Sequence, residues 1–150
     1  MLENRQALAK DSKFEIENKI GSRTILTIID VIGYGASCIV YKANDAIALS
    51  DSVETATRIV KEYYPRNVAG LTRKGNDILV PGTAKDAFAE GQLQFERGIT
   101  RYIEYYEQYD LSANPRPFVF GSANGTVYSV SDLSTGKTLS NIDTKGLTLY

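Results

Sequence analysis

The sequence predicts an α+β domain: a twisted five-stranded antiparallel sheet with one long helix packed on it. Three observations predict it. Runs rich in β-branched residues, such as Thr24 to Ile32 (TILTIIDVI), are punctuated by glycine turns. One stretch, Phe88, Phe95, Ile99, Tyr102, Tyr106 and Tyr109, spaces its large side chains by three, four or seven, which lines them along one helix face. Asn124-Gly125, a pair that suits a two-residue hairpin turn, separates two further strand-like runs.

The elements follow in order. Residues 1–22 read as a polar lead-in of mixed charge, with a short helix expected near Gln6 to Lys10. The first strand, Thr24 to Ile32, meets a turn at Gly33 to Ser37. Cys38 to Ala43 (CIVYKA) then resumes strand character and makes a hairpin. Asn44 to Thr55, rich in Asp and Ser, is expected to loop out. Thr57 to Tyr64 (TRIVKEYY) is a third strand, closed by Pro65. Residues 66–82 hold Gly70, Gly75, Pro81 and Gly82 and read as irregular, with Arg73-Lys74 as solvated loop charge.

Thr83, with Asp86 three residues on, fits a helix-capping signal. The helix should run about 22 residues within 84–109, roughly 33 Å. Gly91 and Gly98 each cost it ~1 kcal/mol relative to alanine. Phe118 to Ser122 and Thr126 to Asp132 are the last two strands.

Composition narrows the function. The chain has 150 residues, 17 Lys+Arg against 18 Asp+Glu, one cysteine and no histidine. Without imidazole there is no Ser-His-Asp or Cys-His nucleophile system and no zinc site that needs histidine. One cysteine makes no internal disulfide, so the cytoplasm is the expected compartment. A net charge of −1 argues against general nucleic-acid binding. No apolar run is long enough to span a bilayer.

Two segments carry chemistry together. Ile32-Gly33-Tyr34-Gly35-Ala36-Ser37-Cys38-Ile39-Val40-Tyr41-Lys42-Ala43 places a glycine turn between two strands, and glycines let a backbone approach phosphate oxygens closely. Ile59-Val60-Lys61-Glu62 puts a lysine among apolar neighbours on the next strand. Glycines that open a strand rather than a helix exclude the dinucleotide-binding fingerprint, and the Walker ending GK[ST] is absent.

The arrangement resembles the N-terminal lobe of a protein kinase, closest to bacterial serine/threonine kinase-like proteins, over roughly Ile25 to Leu139. The resemblance implies a glycine-rich loop at Gly33, Tyr34, Gly35, Ala36 and Ser37. It implies Val40 packed on adenine and Lys61 holding the α- and β-phosphates of ATP with magnesium. The helix would be the αC helix, and Ser131, Asp132 and Leu133 would run from the gatekeeper position into the hinge. The implied division is a lead-in at 1–22, the lobe at 23–139, and the start of the connection to a second lobe at 140–150.

The departures are specific. Cys38 replaces the third glycine, and Ile59 stands where a small alanine leaves room for adenine. Phe95-Glu96-Arg97-Gly98-Ile99 aligns so that Gly98 falls where the lysine's glutamate partner belongs. Glu90 or Glu96 substitutes only if the register shifts.

Blander readings stand beside these. A glycine pair in a hairpin is usually only a turn, and a strand lysine usually snorkels. Cys38 reads as a small packing residue, and the tyrosine stripe as helix packing on the sheet. The catalytic aspartate and metal-binding residues of the family belong to its second lobe, so no catalytic or metal residue is assigned in this chain. The expectation is a nucleotide-binding lobe that stops before the catalytic lobe and transfers no phosphate alone. The alternative is a pseudokinase lobe that binds a partner protein; on either reading, the face a second lobe would cover makes self-association an expectation.

Overall fold

A computed structural model describes residues 3–18, 24–48, 53–109 and 117–132. In chain order, four strands come first: β1 (Lys13–Asn18), β2 (Thr24–Tyr34), β3 (Cys38–Ala48) and β4 (Val53–Tyr63). A small hairpin, β5 (Thr72–Lys74) and β6 (Asp77–Leu79), precedes the helix α1 (Lys85–Tyr109). The strands β7 (Pro117–Ala123) and β8 (Thr126–Asp132) follow the helix. Six of these strands close into an antiparallel barrel in the order β1-β2-β3-β4-β8-β7, and β5 pairs only with β6.

The sixth barrel strand corrects the sequence reading. β1 lies inside the stretch that reads as a polar lead-in, where Phe14 and Ile16 are buried and Lys13, Glu15 and Glu17 are exposed. That alternation of period two is what a strand with one buried face requires. β1 pairs with β2 along one edge and with β7 along the other, through Glu17↔Ser122 and Asn18↔Gly121. The seam is short, two residue pairs at the C-terminal end of β1. The short helix expected near Gln6 to Lys10 is absent, and 3–9 is without regular structure.

Other boundaries shift for physical reasons. Gly33 and Tyr34 belong to β2 rather than to the turn, which narrows to Gly35–Ser37. Register breaks between Ile28 and Asp30 and between Val31 and Gly33 curl β2 just before that turn. The expected 44–55 loop is largely strand: β3 runs to Ala48 and β4 starts at Val53, with Asp45 and Arg58 paired at 3.5 Å and both buried. The irregular 66–82 stretch contains the β5–β6 hairpin, turned at Gly75 with φ 60°. Thr83 sits within a 3₁₀ turn, Gly82–Ala84, that leads into α1, so it is not the cap itself.

The helix and the asparagine-glycine turn form where expected. Phe88, Phe95 and Ile99 are buried against the barrel, and Tyr102 is half-buried. The side chains of Tyr106 and Tyr109 lie outside the described residues. Asn124 (φ 53°) and Gly125 (φ 75°) both adopt the left-handed backbone that a two-residue hairpin turn needs. Tyr63 docks the helix: its ring lies 4.9 Å from that of Phe88 and 5.5 Å from that of Phe95, and its hydroxyl donates to the Phe88 carbonyl at 2.8 Å. Gly91 is needed beneath it, because a Cβ there would collide with the Tyr63 hydroxyl.

The seam yields a test. A Cβ on Gly121 would collide with the Glu17 carbonyl and come within 2.6 Å of Ile16 Cγ2. Gly121→Ala should therefore lower the unfolding free energy by about 1–3 kcal/mol in urea titration. An unchanged midpoint would mean that β1 does not close the barrel.

Candidate functional site

Strand alternation in β4 sends Val60 and Glu62 to one face and Ile59, Lys61 and Tyr63 to the other. Glu62 is fully buried, yet its carboxylate is saturated with donors. Oε1 accepts from the Tyr41 hydroxyl at 2.7 Å and from Arg73 Nη2 at 2.5 Å. Oε2 accepts from the Tyr128 hydroxyl at 2.5 Å and from Arg73 Nη1 at 3.1 Å. Burial and then the Glu62 charge push the phenols of Tyr41 and Tyr128 above their ordinary range, which keeps both protonated as donors. Burial works against the charge on Arg73, but the Glu62 carboxylate outweighs it and raises the pKa. Arg73, read from sequence as solvated loop charge, is therefore a core ion-pair partner whose side chain is 1% exposed.

On the other face, cross-strand register sets Val40 beside Lys61, Lys61 beside Ser129, and Ile59 beside Ser131. Lys61 is 8% exposed, and burial draws its ammonium pKa down to about 8, with the Cys38 thiol acting weakly in the opposite sense. Burial raises the Cys38 pKa, and the residue is fully enclosed, as a packing cysteine should be. Val40 (1% exposed) and Ile59 (3%) are closed to solvent, so this surface is not an open cleft for a base.

Of the remaining candidate residues, Gly33 and Tyr34 end β2, and Gly35–Ser37 make the tight turn closed by Gly35 N–H donating to the Cys38 carbonyl at 2.8 Å. The turn continues the ladder beyond Tyr63. Tyr64 N–H donates to the Ser37 carbonyl, and Arg66 N–H to the Ala36 carbonyl, each at 2.9 Å. Asp132 ends β8, where its backbone pairs with Arg58. Leu133, and with it the hinge and the 140–150 connection, lies outside the described residues.

Beside the turn is a groove of about 840 Å³ bounded by Ala36, Ser37, Tyr63 and the α1 residues Glu90, Gly91, Phe95 and Gly98. Gly98 thus faces the groove with hydrogen where the resemblance expects a carboxylate. Glu90 also lines it and is exposed, whereas Glu96 is half-buried and lines neither wall. Among the described residues no group of three or more Cys, Asp or Glu is gathered to hold a metal ion. No helix among them is long and apolar enough to cross a membrane.

No family model and no curated protein matches the chain. A solved structure does: the apo form of PpkA-294, with a TM-score of 0.61 at 23% identity over 90% of this chain. The chain spans 41% of that chain's length. At this identity the likeness shows the fold alone, an α+β domain with a six-stranded antiparallel sheet and one long helix.

Lys61 has a consequence for stability against pH. With its folded pKa near 8 against an ordinary 10.5, the native lysine sheds its proton while the unfolded chain still holds one. Unfolding free energy should therefore rise from about pH 8 towards pH 10, with a slope of at most ~1.4 kcal/mol per pH unit. Above pH 10 the rise should reverse, because Tyr63, pushed up to about 12 by burial, stays protonated while unfolded tyrosine ionises. Lys61→Met should flatten the rising limb in urea melts, and a wild-type profile flat between pH 8 and 10 would exclude a desolvated Lys61.

Proposed function

We propose that this chain is the nucleotide-binding lobe of a bacterial serine/threonine kinase-like protein, taking the phosphates of ATP between the Gly35–Ser37 turn and Lys61. The observation that carries the reading is the placement of Lys61. β4 fixes it on the barrel's outer face, in register with Val40 and two residues from Tyr63 at the wall of the turn's groove. Its surroundings disfavour the ammonium through desolvation, and an arriving phosphate would favour it in the opposite sense. Gly33 has open space where a Cβ would stand, which leaves its backbone approachable. The fold shared with the apo form of PpkA-294, a bacterial serine/threonine kinase fragment, supports the same reading.

Phosphoryl transfer is not assigned to these residues. A sequence without histidine cannot contain the full H-R-D triplet of the family's catalytic loop. The lobe's part is to bind and orient the nucleotide.

Two observations favour a second reading, a non-catalytic lobe that binds a partner protein. Gly98 gives Lys61 no carboxylate from the expected helix position, and Val40 and Ile59 are closed to solvent. A thermal-shift titration with ATP and magnesium separates the two. The nucleotide reading expects a saturable rise of several degrees, since ligand at a hundredfold over Kd contributes about 2.7 kcal/mol. Lys61→Met should abolish it. A rise that survives Lys61→Met removes the lysine from the site, and no rise in the wild type leaves the partner-binding reading.

A further inference from the structure

The Gly35–Ser37 turn is held from a direction that the barrel strands do not account for. Segment 3–8 crosses the same end of the barrel without joining a sheet. Arg5, 7% exposed, donates Nη1 to the Tyr64 carbonyl at 2.6 Å, and its guanidinium stacks 5.7 Å from the Tyr34 ring centroid. One side chain thus grips both strand ends that flank the turn, Tyr34 before it and Tyr64 across from it.

The grip is itself braced. Glu3 takes a two-pronged contact from Arg5, Nε to Oε2 and Nη2 to Oε1, each at 2.7 Å. Glu3 Oε1 also accepts from Arg66 Nη2 at 3.1 Å. Arg5 chiefly, with Arg66 adding to it, holds the Glu3 carboxyl down to about 2, so the brace keeps its charge across the physiological range. Farther along, the Gln6 carbonyl accepts from Arg73 Nε at 2.8 Å, Leu8 N–H donates to the Tyr41 hydroxyl at 3.0 Å, and the Leu8 side chain is 2% exposed. The segment is therefore seated at both ends, on the turn through Arg5 and on the buried carboxylate's partners through Gln6 and Leu8.

We propose that segment 3–8 is a latch on the glycine turn. Docked, it fixes Tyr64 and Arg66, the two residues whose amides hold the Ser37 and Ala36 carbonyls. Undocked, it frees the turn to lift from the 64–66 stretch while the barrel stays closed. Whatever lifts the segment then sets how much room the turn offers. That this room receives phosphate rests on the nucleotide reading, but the latch itself does not.

Amide hydrogen exchange without nucleotide tests the latch directly. In Arg5→Met, the amides of Gly35, Tyr64 and Arg66 should exchange at least tenfold faster than in the wild type. Those of Val127 to Val130, deep in the barrel, should be unchanged. Glu3→Gln, which leaves the Arg5–Tyr64 contact available, should give a smaller acceleration at the same three amides and carries the test should Arg5→Met fail to fold. Unchanged exchange at these amides overturns the latch, as does an equal acceleration throughout the barrel, which would make Arg5 a general stability residue. Because no nucleotide is present, a failed ATP titration leaves this result standing.

Discussion

The Glu62 carboxylate is the constraint on which the rest of the molecule depends. A buried charge costs several kcal/mol unless donors replace its water. Here four contacts do so, and each comes from a different part of the chain or from a different atom: Tyr41 from β3, Tyr128 from β8, and two nitrogens of Arg73 from the β5–β6 hairpin. Satisfying one carboxylate therefore fixes three elements against β4. The hairpin is carried over this end of the barrel, where Ile78 N–H donates to the Asn124 carbonyl at 2.9 Å. Asn124 in turn donates Nδ2 to the Tyr128 hydroxyl at 2.9 Å, which ties the β7–β8 turn into the same network.

Strand geometry converts this interior arrangement into an exterior one. With Glu62 held inward, alternation leaves Lys61 facing outward and Tyr63 under α1. The residue on one side of Glu62 is thus the phosphate candidate, and the residue on the other docks the helix. The glycine turn inherits its position from the same strand, since its carbonyls are bonded by Tyr64 and Arg66 just beyond. A polar core therefore sets where Lys61, Tyr63 and the glycine turn stand.

What is legible in the sequence is local. The helix can be read because its large residues repeat at helical spacing. The Asn124-Gly125 turn can be read because both positions need positive φ, which those residue types tolerate. β1 is equally local, since Phe14 and Ile16 alternate with charge, but the polar composition around it hides a six-residue pattern. Glu62 and Arg73 cannot be read in this way. The partners of Glu62 lie 11, 21 and 66 residues distant in the chain, and nothing in KEYY or TRK marks a charge for burial. Gly91 shows a third case: its cost to the helix is visible in sequence, whereas its cause, the Tyr63 hydroxyl above it, emerges only on folding. The glycine turn is legible locally as a break between two strand runs, whereas the seating of Arg5 beside it is not, because its contact with Tyr64 reaches across 59 residues.

Glu62 and Arg73 act as one unit holding this end of the barrel together, and that claim is central. The most direct measurement is a double-mutant cycle in urea unfolding with Arg73→Met, Glu62→Gln and the pair. Arg73→Met alone should cost about 3–5 kcal/mol, because it leaves the buried carboxylate without its cation. The double variant should recover part of that loss, giving a coupling of about 2 kcal/mol or more. Additive effects, with coupling below about 0.5 kcal/mol, would contradict the claim and leave the loop end of the barrel to be explained by apolar packing alone.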